Sequence, residues 1–437
     1  MSKPTKDRRV PNEWWVGIVA GMASYIDSAA IVANGIALVI YQAAIGITPN
    51  QIGILSAALT VCVAIGAFVG GRAGDRFGRR SVFIITMVLI IVGSALNTFS
   101  NSFSPLLAGV VLVGLGIGAD LPVSLASIAE AASDRNRGKI LILSNILWMV
   151  GIVASVVIAS IAGGMGRFGG QLLFGQVGVV AFIVMLGRLT IPESRSWLAA
   201  RAEEGAGIRT TRSQHTSLRE LVFGPYRKPF LALLVFYTLT SFAANTSGNF
   251  NTFIAVNLAG SSVEQFNRIA LVVLPFGALL SILFMRVVDT PHRMTFYVGG
   301  GVVMVASALV FTAFGFSLGT LVANLTLAAI GGTFAFEGIM KVWAQESFPT
   351  MLRSSAQGSI IAIARGSSAV LAIGTPALLV SHGRAFYAVL GLVTAIGLAV
   401  AWSVFSRRVG TEFDREAAIE SEAGILRKVT HQEALAP

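Results

Sequence analysis

The sequence predicts an all-α membrane protein in which twelve transmembrane helices form two pseudo-symmetric six-helix bundles. Three observations carry that expectation. The chain of 437 residues is 54% hydrophobic and only 12% charged, with a mean hydropathy of +0.76, whereas a soluble domain carries roughly 25% charged residues. Its apolar residues fall into twelve runs of bilayer-crossing length. A charged pattern at the edge of those runs occurs once in each half: Glu130 precedes Arg137 by seven residues, and Glu346 precedes Arg353 by seven.

A spanning helix needs about 20 mostly apolar residues. The candidate spans are 14–41, 53–73, 82–100, 104–131, 138–163, 170–190, 228–257, 265–286, 294–315, 317–344, 354–380 and 384–406. The runs are continuous rather than alternating, which excludes a β-barrel and leaves helices as the way to satisfy backbone N–H and C=O groups in lipid. The first run is too long for a signal-peptide core and reads as a retained helix. The domains expected are a first bundle over 1–192, a cytoplasmic linker over 193–227, a second bundle over 228–407 and a cytoplasmic tail over 408–437. The tail mixes acid and base in the manner of a short amphipathic helix, and no role is assigned to it.

About 26 of the 32 Lys and Arg residues fall in the termini and in loops on one side of this topology. The positive-inside rule then places both termini in the cytoplasm of a multi-pass protein of the cell's plasma or inner membrane. The net charge of +11 does not indicate nucleic acid, because the basic residues sit in short segments between apolar runs. Cys62 is the sole cysteine, which rules out an internal disulfide, and the four His lack metal-ligand spacing. No nucleophile–base constellation, metal cluster or phosphate loop suggests an enzyme, and no cofactor is expected beyond a proton gradient as energy source. The expected partners are a small polar solute, protons and lipid, with the monomer as working unit.

Upstream of Glu130 the chain reads Gly71-x3-Asp75-Arg76-x-Gly78-Arg79-Arg80, and upstream of Glu346 it reads Asp289-x3-Arg293, a worn copy. The glycines permit a tight turn and close helix approach. Arg76, Arg79 and Arg80 can bridge to Glu130 and to helix C-terminal carbonyls, and Glu346 and Arg353 can do the same in the other half. Such a network would hold two bundles together on the cytoplasmic side while the other side is open. Alternatively, these charges only orient the chain.

The Gly71–Arg80 segment resembles the signature loop of the major facilitator superfamily. Gly114-x-Gly116-x-Gly118 with Pro122, Glu130 and Arg137-Gly138 is similar to the sugar-porter branch, as are Pro192-Glu193-Ser194 and Glu346-Ser-Phe-Pro349-x3-Arg353. The resemblance implies alternating access by two rocking bundles about a midplane site. It also marks departures: the helix 4 Arg of sugar porters falls at Val110, the helix 10 Trp at Lys341 and the helix 5 Gln at Asn145. In that branch a helix 1 Gly-Tyr-Asp carries the proton site, and Tyr25-Ile-Asp27 is similar to it.

A charge near mid-bilayer costs about 2.5–3.5 kcal/mol on insertion scales and points to function unless paired. Asp27 lies mid-way along the first span with Ser24 and Asn34 on its face. Desolvation favours its neutral form, as proton loading requires. Asp120, with Ser124 and Ser127 beside it, either forms a carboxyl pair with Asp27 that shares a proton or accepts from the solute. Glu337, Lys341 and Gln345 form one stripe of the tenth span, either gripping solute or, for the first two, neutralising each other. Arg365 can pair with Glu337 or Glu346, as a gate bridge or a ligand contact. Asn145, Trp148, Asn245 and Asn249 offer amides and an aromatic platform suited to hydroxyl groups; Trp148 serves equally as packing.

The expectation is therefore a proton-coupled symporter of a small polar metabolite, most simply a sugar or polyol. Its proton-coupling residues would be Asp27 and Asp120. Its solute contacts would be Asn145, Trp148, Asn245, Asn249, Glu337, Lys341 and Gln345. The gate would comprise Gly71, Asp75, Arg76, Gly78, Arg79, Arg80, Glu130, Arg137, Glu346, Arg353 and Arg365. The alternatives are a symporter of a small organic anion, invited by Lys341 and Arg365, and a proton-antiport exporter.

Overall fold

The computed structural model describes residues 12–162, 165–206, 218–261, 263–407 and 410–418. All regular structure among them is helical. The first half contains α1 (Glu13–Ile45), α2 (Pro49–Phe77), α3 (Arg79–Phe99), α4 (Phe103–Ala131), α5 (Arg137–Ala162) and α6 (Arg167–Leu189). Two short helices, α7 (Arg195–Gly205) and α8 (Leu218–Phe223), belong to the connector. The second half contains α9 (Arg227–Phe253), which runs into a π turn at Ile254–Leu258, then α10 (Val263–Val287), α11 (Arg293–Phe314), α12 (Leu318–Ala335), α13 (Glu337–Ser347) and α14 (Arg353–Phe405).

Two of these assignments hide the symmetry. α12 and α13 follow one path broken at Phe336 (φ −131°, ψ −117°). α14 is two helices meeting at His382 (φ −141°, ψ 35°). With α12–α13 taken as one broken helix and α14 as two, each half holds six. Among the described helices, ten are long and apolar enough to cross a membrane.

Local sequence sets the boundaries. Thr48 and Gln51 form a reciprocal capping box ahead of Pro49 at the start of α2. Asn12 accepts from the Trp14 N–H at the start of α1. Gly78 alone separates α2 from α3, and its φ of +91° is open to glycine and strained for other residues. The glycine series in α4 is explained by packing. A Cβ on Gly114 or Gly118 would press on the α2 backbone at Leu59 and Val63, while one on Gly116 would sit 3.1 Å from the Thr86 carbonyl of α3. Small residues allow this approach where lipid supplies no hydrophobic drive between helices.

Three apolar cores show how the halves are joined. One runs through both halves near the basic loops, from Leu121, Leu125, Ile128 and Ile142 to Phe284, Trp343, Phe348, Leu352 and Ala356. The other two are separate: one lies wholly in α1–α6 around Ala33, Leu38 and Tyr41, the other wholly in the second half around Phe311, Leu321 and Tyr387. Among the described residues, the halves share a core at the basic end, and the cores toward the opposite end each stay within one half. Its outer surface carries bare apolar side chains such as Ile18, Val39, Val61, Val69, Ile85, Val179, Ile183, Val302 and Leu392, a belt suited to acyl chains rather than water.

Candidate functional site

The basic end is closed by a network built twice. In the first half Arg79 is buried and donates to the Gly74 carbonyl at 2.6 Å, to Asp75 at 2.8 Å and to Glu130 at 2.7 Å. It then crosses to the second half, reaching the Thr350 carbonyl at 2.8 Å. Arg293 repeats the role in the second half, donating to Glu346 at 2.7 Å. Each repeat also lends an Asp to the other. Asp75 accepts from the Ser354 and Ser355 N–H groups at 3.3 and 2.6 Å, at the first turn of α14. Asp289 accepts from the Gly138 and Lys139 N–H groups at 3.0 and 3.1 Å, at the first turn of α5. Both carboxylates thus meet the positive end of a helix in the opposite bundle. Asp75 is buried and Asp289 exposed, so the first contact is desolvated and the second screened by water. The worn copy in the sequence keeps the Asp and the Arg that this geometry uses.

Close packing backs the charges. A Cβ on Gly71 would collide with the Ser354 carbonyl, and one on Gly358 with the Ala67 carbonyl, so α2 and α14 touch across the halves through glycine. Glu193, of the Pro-Glu-Ser stretch, accepts from the Arg79 and Arg80 N–H groups at 2.9 and 3.1 Å and caps α3. Trp197 donates to the Asp75 carbonyl at 2.7 Å. The connector therefore clamps the turn that carries Arg79.

Several expected gate residues stand elsewhere. Arg76 and Arg80 are exposed; Arg76 lies over the Phe77 ring, so neither side chain joins the network. Arg137 closes on its own loop, donating to the Ala129 carbonyl at 3.0 Å and pairing with Asp134 at 2.7 Å. Arg353 reaches Glu130 at 3.4 Å. Sequence reasoning missed the segment after α14. There Glu416 accepts from the Thr350 N–H at 2.9 Å and pairs with Arg353 at 3.7 Å. The Phe413 ring sits between the Arg137 and Arg353 guanidinium groups at 3.5 and 4.0 Å.

Deeper in the bilayer, Arg365 of α14 is no part of that gate. Its two terminal nitrogens donate to the two oxygens of Asp27 at 3.0 and 2.9 Å, a bidentate pair joining α1 of one bundle to α14 of the other. The Asp27 side chain is 1% exposed and that of Arg365 17%, so the guanidinium covers the carboxylate. Glu337, at the break in the tenth path, pairs with Lys341 at 3.1 Å; their side chains are 15% and 0% exposed. The Tyr237 phenol interacts electrostatically with Glu337, Arg365 and Asp27 and stacks on Phe336. These groups bring α1, α9, α13 and α14 to one place.

The expected carboxyl pair of Asp27 with Asp120 does not form. Asp120 accepts from the Thr86 hydroxyl at 3.0 Å and from both terminal nitrogens of Arg188, one at 2.8 Å. Arg188 also donates to Ser124 at 3.0 Å and lies over the Phe83 ring at 4.3 Å. This triad of α3, α4 and α6 is sealed inside the first bundle, so in this arrangement Asp120 is held by Arg188 and not by Asp27. Arg188 was overlooked although it is the only cation within the apolar run of the sixth span, and an isolated charge there demands a partner.

The remaining polar candidates divide. Lys341 is fully enclosed, and Glu337, at 15% exposed, is the least buried member of that stripe. Gln345 is buried and hydrogen-bonds to Gln357, away from Glu337. Asn245 donates to the Ser241 carbonyl at 2.9 Å and to Ser368 at 3.4 Å, tying α9 to α14. Asn145 and Trp148 are half-buried on α5, the helix that meets α10 and α13 of the other half. The Asn249 side chain lies outside the described ones.

Residues 14–373 match the model of the Major Facilitator Superfamily; the chain belongs to that family of membrane transporters. It is 29% identical over 384 residues to the minor myo-inositol transporter IolF of Bacillus subtilis, covering 86% of this chain and 87% of that one. It is 25% identical over 333 residues to the putative niacin/nicotinamide transporter NiaP of Bacillus subtilis, covering 75% and 80%. Among solved structures it shares its fold with the proton:xylose symporter XylE, at a TM-score of 0.76 and 16% identity over 90% of this chain and 95% of that one.

Proposed function

We propose that this chain is a proton-coupled symporter that imports a small polyhydroxylated metabolite, of the sugar or polyol class, across the plasma or inner membrane as a monomer with cytoplasmic termini. The observation that carries this reading is the buried Asp27–Arg365 pair, which joins the two bundles. The similarity to a myo-inositol transporter supports the substrate class, and the fold shared with a proton:xylose symporter supports the coupling.

In this reading Asp27 and the solute compete for one guanidinium. With the chamber open outward, Asp27 takes a proton and loosens its hold, and Arg365 turns its donors to solute oxygens. The gate network opens as the bundles rock. Facing the less acidic side, Asp27 gives up the proton, recaptures Arg365 and expels the solute. Each ligand thus shifts the same equilibrium by its different affinity for the two states.

The test is uptake of labelled myo-inositol and related polyols into proteoliposomes under imposed pH or sodium gradients. Concentrative uptake driven by an inward proton gradient is expected. Asp27→Asn should abolish uphill uptake while sparing exchange of internal for external solute. Uptake driven by sodium alone, or undiminished concentrative uptake by Asp27→Asn, overturns the coupling role.

A further inference from the structure

The charges that meet around Arg365 restrict what the solute can be. With the acids ionised, Asp27, Glu337, Arg365 and Lys341 sum to zero. Loading a proton on Asp27 leaves one positive charge in excess, on a guanidinium whose side chain is only 17% exposed. Glu337 is not free to neutralise it. It is the ion-pair partner of Lys341 at 3.1 Å, and the Lys341 ammonium has no hydrogen-bond acceptor of good geometry and no water access. Moving Glu337 to Arg365 would strand that ammonium, and a stranded buried charge is the costly outcome. The break at Phe336 adds to the imbalance, because α13 begins there, at Glu337, and brings the positive end of a helix to the same level.

Among the described side chains, no other carboxylate is placed to help. Of the elements packed against α1, α4 and α6 bring Asp120 and Arg188, which are closed on each other; α4 also carries Glu130, held at the gate by Arg79 and Arg353, and α6 carries Arg167 at its first turn, donating to the Ser100 carbonyl. α5 carries its ionisable groups, Arg137 and Lys139, only at its gate end, and α2 likewise carries Arg72, Asp75 and Arg76 at its gate end. From α9 comes Tyr237, a neutral phenol at ordinary pH. The missing negative charge has to arrive with the solute.

We propose that the preferred solute is a hydroxylated carboxylate, a sugar acid or polyol acid, whose carboxylate replaces that of Asp27 on Arg365. This rests on the proton-coupled reading of Asp27 above and narrows its substrate class. One proton and one monoanion enter together, so the loaded chamber returns to zero charge and the inward step carries no net charge. A neutral polyol would leave the excess positive charge in place and make transport electrogenic.

The test compares D-gluconate and D-glucuronate with myo-inositol and D-xylose on the purified full chain, by equilibrium binding and by proteoliposome uptake with pH gradient and membrane potential set independently. Carboxylate binding should tighten about tenfold per pH unit lowered while Asp27 is ionised in the free protein, as uptake of one proton requires. Its uptake should follow the pH gradient and ignore the membrane potential. In Asp27→Asn the binding should become flat with pH, within about twofold, and at least as tight as the parent at its acid limit. Arg365→Gln should lose carboxylate preference, and Arg365→Lys should regain part of it. Proton-driven uptake of neutral polyols without binding or uptake of carboxylates overturns this proposal and leaves the proposed function standing. Failure of both solute classes under a proton gradient overturns both. Carboxylate affinity that is unchanged by pH in the parent, or abolished in a folded Asp27→Asn, also overturns the exchange of carboxylates on Arg365.

Discussion

Removing Arg79 should open the basic end of the protein by a calculable amount. The side chain makes one bond across the halves, to the Thr350 carbonyl at 2.8 Å, and its intrabundle partners Asp75 and Glu130 are themselves buried. A hydrogen bond to a charged group contributes about 1.5–3 kcal/mol. Losing the Thr350 contact alone therefore multiplies the gate-open to gate-closed ratio by roughly 10–150 in Arg79→Ala, at about 1.4 kcal/mol per tenfold. The two carboxylates left with less positive charge push further the same way, because opening lets water reach them. The assay places a cysteine at Ser354, fully buried at the gate, in a background where Cys62, the only cysteine, is replaced by Ser. The rate of labelling by a membrane-impermeant maleimide from the basic-loop side then reports the open fraction. Arg76→Ala, which removes an exposed side chain of equal charge four positions from Arg80 and outside the network, is the control. A labelling rate for Arg79→Ala within twofold of the parent, or an equal rise for Arg76→Ala, would refute the assignment of Arg79 as the cross-bundle tie.

Asp75→Asn should raise the same labelling rate several times more than Asp289→Asn, because the first carboxylate caps α14 in a buried setting and the second caps α5 beside water; equal effects would contradict that contrast. Gly358→Leu should prevent closure, since the added side chain meets the Ala67 carbonyl of α2, and a variant that still protects the Ser354 cysteine would show that the two helices do not pack this closely. Asp120→Asn should destabilise rather than uncouple. It leaves the Arg188 guanidinium buried with a weakened partner, a change of up to about 3–5 kcal/mol, visible as a lowered melting temperature in detergent. Whatever uptake survives should keep its parent pH dependence, and a lost pH response in a thermally normal Asp120→Asn would return Asp120 to the coupling role.

The architecture was legible in the sequence because the bilayer restricts the choice so strongly: long apolar runs must be helices, and loops rich in Lys and Arg alternate with loops that hold few of them. The duplicated grammar was legible for a related reason. Asp75 and Arg79 meet within one helical turn, and Asp289 and Arg293 keep the same spacing, so the motif is readable along the chain; that Asp75 and Asp289 each cap a helix of the opposite half is not. Asp27 stood out as an isolated acid in an apolar run. Arg188, an isolated cation in the sixth run, carries the same signal.

The partners of the deep charges were decided only by tertiary structure. Asp27 and Arg365 are 338 positions apart, and nothing in either local segment says that α14 crosses α1 at that level. The resemblance, with its helix 4 Arg missing at Val110, suggested Asp120 as a partner for Asp27, yet α6 delivers Arg188 to Asp120 and seals it. Helical periodicity placed Lys341 and Gln345 on the Glu337 stripe, but the bend at Phe336 and the packing around α13 enclose both. A one-dimensional pattern encodes which face a residue takes on its own helix. Which charge neutralises it depends on how rigid helices cross in three dimensions, and each buried ion commits to the first opposite charge that the crossing brings within reach.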